Sequence, residues 1–304
     1  MLQQESQICR IEGLIGMMIS LWDQGTEKQF FEEALRYTAE ESLFYSTDTG
    51  RFIAYWPKGY KGIKSTLQSI NSFIGKFTER WIVELLADYA SSRGLYALQG
   101  VICEEIGLSS RSPADVALCK TNTIYQQTEN IAVIFEVKMS VVWNWEYRDD
   151  VLIELGDYTT HQGNPGLLRS DTMLKAIGKG INIRVCDPLS AGIPIIVLGN
   201  TPIMESYYTK VDHLKKCGII QGFWSVNPKP RGEITTFKAT DEKGFVRMDS
   251  YDELVAHLDN LLIQELTFFS SMKSMQELGE IIQIADREET FEGKAGRFLE
   301  LIGR

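Results

Sequence analysis

Several residues and motifs are scarce or missing in this 304-residue chain, and each absence argues against a class of protein. There are only three histidines, and the five cysteines form no Cys-x-x-Cys pair, so neither a zinc site nor a disulfide framework is indicated. No apolar run approaches the roughly 20 residues that span a bilayer, and the N-terminus lacks the basic segment of a signal peptide. We therefore expect a protein of the reducing cytoplasm with no membrane part.

Basic residues are also in short supply. The chain has 31 Lys and Arg against 41 Asp and Glu, a formal net charge of −10, which argues against nonspecific binding to nucleic acid. The charge is unevenly spread, however. Residues 51–80 carry six bases and one acid, whereas residues 249–292 carry eleven acids and two bases. The first segment is therefore a local candidate for contact with nucleic acid.

The stretch from Ser112 to Ser140 concentrates the residues that could do chemistry. Two short apolar runs predict a β-hairpin, and period-two alternation places Glu136 and Lys138 on one face of its second strand. If the connection is centred on Tyr125 and Gln126, Asp115 in the first strand lies opposite Glu136. The pattern therefore predicts two carboxylates beside one lysine, a set that can hold Mg²⁺ and act on a phosphodiester.

In this respect the chain resembles the PD-(D/E)xK nucleases, whose core is called restriction-endonuclease-like. Asp115 matches the first acid of the motif, Glu136 the second and Lys138 the lysine, although the family's Pro-Asp pair is interrupted here by Ala114. The resemblance implies Mg²⁺ held by Asp115, Glu136 and the carbonyl of Val137, with Lys138 positioning the attacking water. It also implies a glutamate from the preceding helix. Glu84 is the nearest match for that role, and Glu104 and Glu105 compete with it.

Two segments outside the motif are candidates for contact with DNA. In residues 47–66 spaced lysines accompany aromatic and turn residues, and in the helix that follows the motif charged residues cluster near the N-terminus. The alternative for both segments is an ordinary solvated surface. The candidate DNA-binding residues are Lys58, Lys61, Lys64, Arg169, Ser170, Asp171 and Lys175.

The predicted fold class is α/β. The resemblance implies a mixed β-sheet core flanked by helices, and the patterns on either side of it predict an N-terminal helical layer and a C-terminal α+β subdomain. We divide the chain into an N-terminal helical region with a basic loop (1–78), a nuclease core (79–205) and a C-terminal hairpin and helical subdomain (206–304). Amphipathic helices are predicted near 4–24, 26–45, 78–92 and 167–179, and a hairpin is predicted from 234 to 248.

The function implied by the resemblance is that of a Mg²⁺-dependent, site-specific endonuclease similar to type II restriction enzymes. Its partner would be double-stranded DNA, and cutting both strands of a palindromic site favours a homodimer. A repair or recombination nuclease of the same fold and a non-catalytic nucleic-acid-binding protein are the alternatives. A small-molecule hydrolase is the weakest, because histidine is scarce and no Gly-x-Ser-x-Gly motif is present.

Overall fold

A computed structural model describes residues 20–64, 70–231, 237–264, 266, 268 and 273–302. Over these residues the chain is a mixed α/β protein, as the sequence predicts. None of the helices in these ranges is long and apolar enough to cross a bilayer. The predicted helix at 4–24 falls largely on residues 1–19, which lie outside the described part of the chain.

The regular elements alternate along the chain. The α-helices are α1 (Gln24–Ala34), α2 (Ile70–Ser92), α3 (Ser170–Cys186), α4 (Tyr208–Lys216), α5 (Tyr251–Ile263), α6 (Met275–Ala285) and α7 (Phe291–Ile302). The strands are β1 (Tyr45–Ser46), β2 (Phe52–Ile53), β3 (Tyr96–Val101), β4 (Ala114–Cys119), β5 (Ile131–Val137), β6 (Asn144–Arg148), β7 (Val151–Gly156), β8 (Ile195–Gly199), β9 (Gly222–Ser225) and β10 (Phe245–Arg247).

A six-stranded mixed sheet forms the centre of the fold, with the strand order β10-β9-β8-β5-β4-β3. Strands β3, β4 and β5 pair antiparallel, and β5, β8, β9 and β10 run parallel to one another. Within this sheet and its helices the chain follows the order α2, β3, β4, β5, α3, β8. This is the predicted order of helix, three strands, helix and strand, interrupted by the β6–β7 hairpin.

Each face of the central sheet packs against helices. On one face Val133, Phe135 and Leu198 join a core that includes apolar residues of α1, α2 and α5. On the other face Ile134 and Val197 join a second core that includes residues of α3 and α4. The odd and even positions of β5 therefore serve different helical layers, as strand geometry requires. A separate four-stranded antiparallel sheet, β1-β2-β6-β7, extends the first core.

Some element boundaries differ from the sequence predictions. Helix α1 ends at Ala34 rather than near residue 45. Helix α2 begins at Ile70, eight residues earlier than predicted. Helix α3 runs from Ser170 to Cys186, seven residues beyond the predicted end at Lys179, and includes Gly178 and Gly180. Gly180 permits close packing, because a Cβ there would lie only 2.9 Å from the side chain of Ile220.

The C-terminal segment contributes to the central sheet. Strand β10 pairs in parallel with β9, and only an isolated bridge joins Ala239 to Val246 in the sense of the predicted hairpin. Residues 232–236, which carry part of that hairpin, lie outside the described ranges. Trp22 and Leu254, from the first and last predicted segments, share one core. The division into three domains stays a prediction.

Helix α1 is joined to the loop that follows β5 through Glu27, whose side chain is fully buried. Its Oε2 accepts the N–H of Val142 at 2.7 Å, and its Oε1 accepts the backbone N–H of Trp143 and the indole N–H of Trp145, both at 2.9 Å. Burial raises the pKa of Glu27 to about 8, although these hydrogen bonds oppose the shift. One carboxylate thus fixes the loop between the two sheets.

The raised pKa of Glu27 predicts a pH-dependent stability. The folded state holds a proton on this group more tightly than the unfolded state, whose pKa is near 4.5. The contribution is complete below pH 4.5 and is lost as pH rises towards about 8, at up to about 1.4 kcal/mol per pH unit. Urea unfolding of the wild type and Glu27→Gln at pH 5, 6.5 and 8 should show a flatter pH dependence in the variant. Parallel pH profiles would contradict this account.

Candidate active site

Asp115 and Glu136 lie at one end of the central sheet on neighbouring strands. The register pairs Val116 with Phe135 and Ala117 with Ile134, and its continuation sets Asp115 opposite Glu136. This is the register predicted from the sequence. Asp115 Oδ2 accepts the backbone N–H of Val137 at 2.8 Å, so the strand that carries Glu136 also orients the carboxylate of Asp115.

The backbone next to Asp115 is irregular on its other side. Strand β3 pairs with β4 at Gln99–Val116 and again at Val101–Ala114, and Gly100 between them adopts a φ of +68°. Such a left-handed conformation in a strand favours glycine. Gly100 therefore permits the break in pairing beside Asp115.

Lys138 gathers three oxygen atoms around one positive charge. Its Nζ lies 2.5 Å from Glu136 Oε1 and 3.3 Å from Asp115 Oδ2, and it donates a hydrogen bond to the carbonyl of Val137 at 3.1 Å. These oxygens belong to the three residues that the sequence analysis predicts as metal ligands. They converge on a single cation, and in this structure that cation is the lysine ammonium.

A second lysine, Lys179 of α3, binds the other oxygen of each of the same two carboxylates. Its Nζ lies 3.1 Å from Asp115 Oδ1 and 2.6 Å from Glu136 Oε2, and it donates to the carbonyl of Pro113 at 2.8 Å. The side chains of the two acids and two lysines are between 7% and 20% exposed. The four residues form a compact network, called here the Asp–Glu–Lys–Lys cluster, with balanced charge.

The two carboxylates of the cluster differ in their affinity for protons. Burial alone would raise the pKa of Asp115, but the charges of Lys138 and Lys179 outweigh it and lower that pKa. Burial raises the pKa of Glu136, and the charge of Asp115 adds to this effect against the two lysines. Burial acts to lower the pKa of Lys179, but Glu136 and Asp115 raise it above its usual value. At neutral pH Asp115 is therefore the more firmly ionised acid.

Glu136 Oε2 has an ionic neighbour but no hydrogen bond. Lys179 Nζ lies 2.6 Å from this oxygen, yet the oxygen is buried and no donor meets it with hydrogen-bond geometry. The donor set of two carboxylates and a carbonyl fits Mg²⁺, which commonly takes one or two carboxylates and completes its shell with water.

Over the described ranges, no group of three or more His, Cys, Asp or Glu side chains is placed to hold a metal ion. A site here would therefore depend on Asp115 and Glu136 with the carbonyl of Val137. His161 takes no part in such a site, because its ring is buried, stacks on Tyr55 at 3.9 Å and lies with Nε2 3.3 Å from the carbonyl of Val142.

The glutamates predicted as a fourth member lie elsewhere. Glu84 is 67% exposed and pairs with Arg80 at 3.7 Å, and Glu105 accepts hydrogen bonds from Thr128. Glu104 is also exposed. The acid of α2 whose pKa responds to the charges of the cluster is Glu79. Its pKa is raised by burial and is further affected by Asp115, Lys138 and Lys179. Because Glu79 and Glu84 are about 140° apart around the helix, only one can face the cluster, and the structure favours Glu79.

The predicted DNA-binding residues fall into two exposed groups. Lys58, Lys61 and Lys64 lie on the loop after β2. Arg169 and Asp171 at the start of α3 form a two-point ion pair, with contacts of 2.9 and 3.0 Å, and Lys175 is 76% exposed. Ser170 instead lies against the Tyr207 hydroxyl, at 3.4 Å. The two groups approach each other, because Lys64 donates a hydrogen bond to Gln162, and Gln162 and Arg169 line the same cavity.

Lys179 is the residue that sequence analysis missed. Asp171, Lys175 and Lys179 are spaced four residues apart and so share one stripe of a helix, but the predicted helix ended at Lys179. The signal that could have identified it is the position of Lys179 between Ala176 and Ile183, both of which are buried. A lysine on that side of a helix needs an acidic partner.

Comparison of this chain with protein-family models, with curated proteins and with solved structures gave no match. Its function therefore has to be argued from the cluster and its surroundings.

The cluster predicts unequal roles for two lysines on one helix. Lys179→Ala leaves the buried Glu136 and Asp115 carboxylates with Lys138 as their one remaining ammonium partner. We expect it to lower the free energy of unfolding by about 2 kcal/mol, less than for a fully buried pair because water reaches the site. Lys175→Ala, on the same stripe but exposed, should change it by less than about 0.5 kcal/mol. Urea unfolding at pH 7 compares them, and equal effects would show that the Lys179 contacts carry no net stability.

Proposed function

We propose that this protein is a Mg²⁺-dependent DNA endonuclease with a restriction-endonuclease-like core. The observation that carries the proposal is the convergence of Asp115, Glu136 and the Val137 carbonyl on one cation, at 2.5 to 3.3 Å from Lys138 Nζ. These are the metal ligands that the PD-(D/E)xK resemblance implies. The order α2, β3, β4, β5, α3, β8 supports the same fold.

Bound Mg²⁺ would neutralise charge on the phosphate and make a coordinated water more acidic. Asp115, Glu136 and the Val137 carbonyl would hold the ion, and the ammonium of Lys138 would then have to leave these oxygens. Lys179 keeps its contacts with Asp115 Oδ1 and Glu136 Oε2 and holds the two carboxylates in place. Lys179 is thus a positioning residue, and Lys138 is free to act on the substrate.

In hydrolysis, a water oxygen forms a bond to phosphorus, one P–O ester bond breaks, and the departing oxygen takes a proton. The Lys138 ammonium, released at the edge of the cluster, orients that water and offsets charge on the phosphate. Double-stranded DNA reaches the site along the lysines of the loop after β2 and the start of α3. A homodimer would place two such sites on the two strands of a palindromic sequence.

A second reading is favoured by the neutrality of the cluster. Two acids and two lysines satisfy one another without a metal. The same arrangement could therefore serve as a structural ion-pair network in a non-catalytic nucleic-acid-binding protein. The two readings differ in what the cluster does when a divalent cation is offered.

Competition between Lys138 and the metal gives a direct prediction. Because Lys138 Nζ contacts the same three oxygens, Lys138→Ala should bind Mn²⁺ at least about tenfold more tightly than the wild type, since a competing positive charge is removed. Titration calorimetry at pH 7.5 measures this, and Lys28→Ala, at an exposed lysine of α1, is the control. An unchanged affinity, or no binding by either protein, would favour the structural network.

Cleavage provides the functional test. The wild type should cut mixed-sequence plasmids in Mg²⁺ but not in EDTA, and Lys138→Ala and Glu136→Gln should each be slower by about 100-fold or more. Discrete fragments would indicate a site-specific enzyme, and a smear would indicate a repair or nonspecific nuclease. Failure of the wild type to cut any of several plasmids in Mg²⁺ or Mn²⁺ would contradict the proposal.

The fourth acid can be tested in the same assay. Glu79→Gln changes the acid whose pKa responds to the cluster, whereas Glu84→Gln changes an exposed acid of the same helix. We expect a slower rate for Glu79→Gln than for Glu84→Gln, by about fivefold or more, because a nearby carboxylate changes the charge at the metal site. A slower rate for Glu84→Gln than for Glu79→Gln would instead support Glu84 as the fourth acid of the active site.

A further inference from the structure

A cavity of about 460 Å³, whose lining includes none of the four residues of the Asp–Glu–Lys–Lys cluster, has no role in the mechanism above. Its wall combines aromatic rings with side-chain amides. The aromatic residues are Tyr45, Tyr55 and Trp56, and the amides are Asn71, Gln162 and Asn164. Sites for small planar ligands commonly have this size and this mixture of apolar surface with a few polar groups. We call it the aromatic cavity.

The aromatic cavity is close to the cluster along the chain and is firmly held. Ser140 lines it and lies two residues after Lys138, a separation of at most about 7 Å between Cα atoms. Asn200, just after β8, fixes Ser140 by accepting its N–H at 3.1 Å and donating to its carbonyl at 2.7 Å. Tyr55 is held by its stack on His161 and by a 2.8 Å hydrogen bond to the Val141 carbonyl.

Two basic side chains lie at or next to the cavity, and one of them, Arg169, is also paired with Asp171. Arg169 is a lining residue, and Lys64 donates a hydrogen bond to the side chain of Gln162, another lining residue. The two segments predicted separately as DNA contacts therefore meet around this one cavity. A matching ligand would place a negatively charged group near these basic residues. It would place a flat group with polar edges inside the cavity.

We infer that the aromatic cavity takes an unpaired nucleobase, with Arg169 beside the attached phosphate. Aromatic rings stack on the face of any base, and side-chain amides can both donate to and accept from the base edge. The inference rests on the proposed nuclease function when the base belongs to a DNA strand. A base near the cleaved phosphate would then be drawn out of the duplex and held during cutting. A free nucleotide would present the same chemistry.

Binding can be measured without cleavage by using Lys138→Ala protein in the absence of divalent metal. Fluorescence anisotropy would compare three labelled duplexes, one fully paired, one with a single bulged nucleotide and one with the same bulge lacking its base. We expect the bulged base to improve binding over the abasic bulge by about tenfold, the scale of one stacked base. Adding Gln162→Ala or Trp56→Phe should reduce this ratio to about twofold, whereas Gln276→Ala, at an exposed amide of α6, should preserve it.

Millimolar deoxynucleoside monophosphates form the second arm of the test, added as competitors and followed by tryptophan fluorescence. A base preference that depends on Gln162 and Trp56 supports the inference with the strand as the source. No base preference, but saturable nucleotide binding weakened by Gln162→Ala, supports it with a free nucleotide as the source. If neither of these two results is obtained, the inference is overturned. Because the wild-type plasmid assay is separate, cutting with neither base preference nor nucleotide binding defeats this inference alone, and base preference without cutting defeats the nuclease proposal alone.

Discussion

The ionic contacts among two carboxylates and two lysines are the interaction on which the candidate active site depends. Asp115 and Glu136 come from adjacent strands, and Lys138 and Lys179 approach from the end of β5 and from α3. Two acids this close would repel each other, so the lysines are needed to keep the sheet end together. The oxygens that Lys138 contacts also form the candidate metal site, because a divalent cation could replace the contacts that this ammonium makes.

The surrounding fold holds this cluster and the aromatic cavity together. Glu27 of α1 fixes the loop at Val142 and Trp143, and Asn200 at the end of β8 fixes Ser140 in the same loop. Thr201 accepts the N–H of Leu167 at 2.9 Å, which ties the segment leading to Arg169 to the same strand end. A few buried polar side chains thus position the backbone between the two candidate sites, and each costs stability if its partner is lost.

Local patterns predicted part of this arrangement. Alternation and the position of the connecting loop were sufficient to place Asp115 opposite Glu136 and Lys138 on the same side, because strand geometry has a fixed period. They could not identify Lys179, since the glycines around it look like a helix end and only Ile220, distant in sequence, explains Gly180. The choice between Glu79 and Glu84 depended on how α2 is rotated against the sheet, which is a tertiary property. The buried role of Glu27 likewise depends on partners more than 100 residues away.

The most direct test of the central claim is a crystal structure of the protein soaked in Mn²⁺, with the ion located from its anomalous scattering. The account predicts a peak in contact with the Asp115 and Glu136 carboxylates and the Val137 carbonyl. It also predicts that Lys138 Nζ has moved away while Lys179 keeps both of its carboxylate contacts. No peak at this position, with Lys138 still bound to all three oxygens, would show that the cluster is a closed ion-pair network and would contradict the proposed metal site.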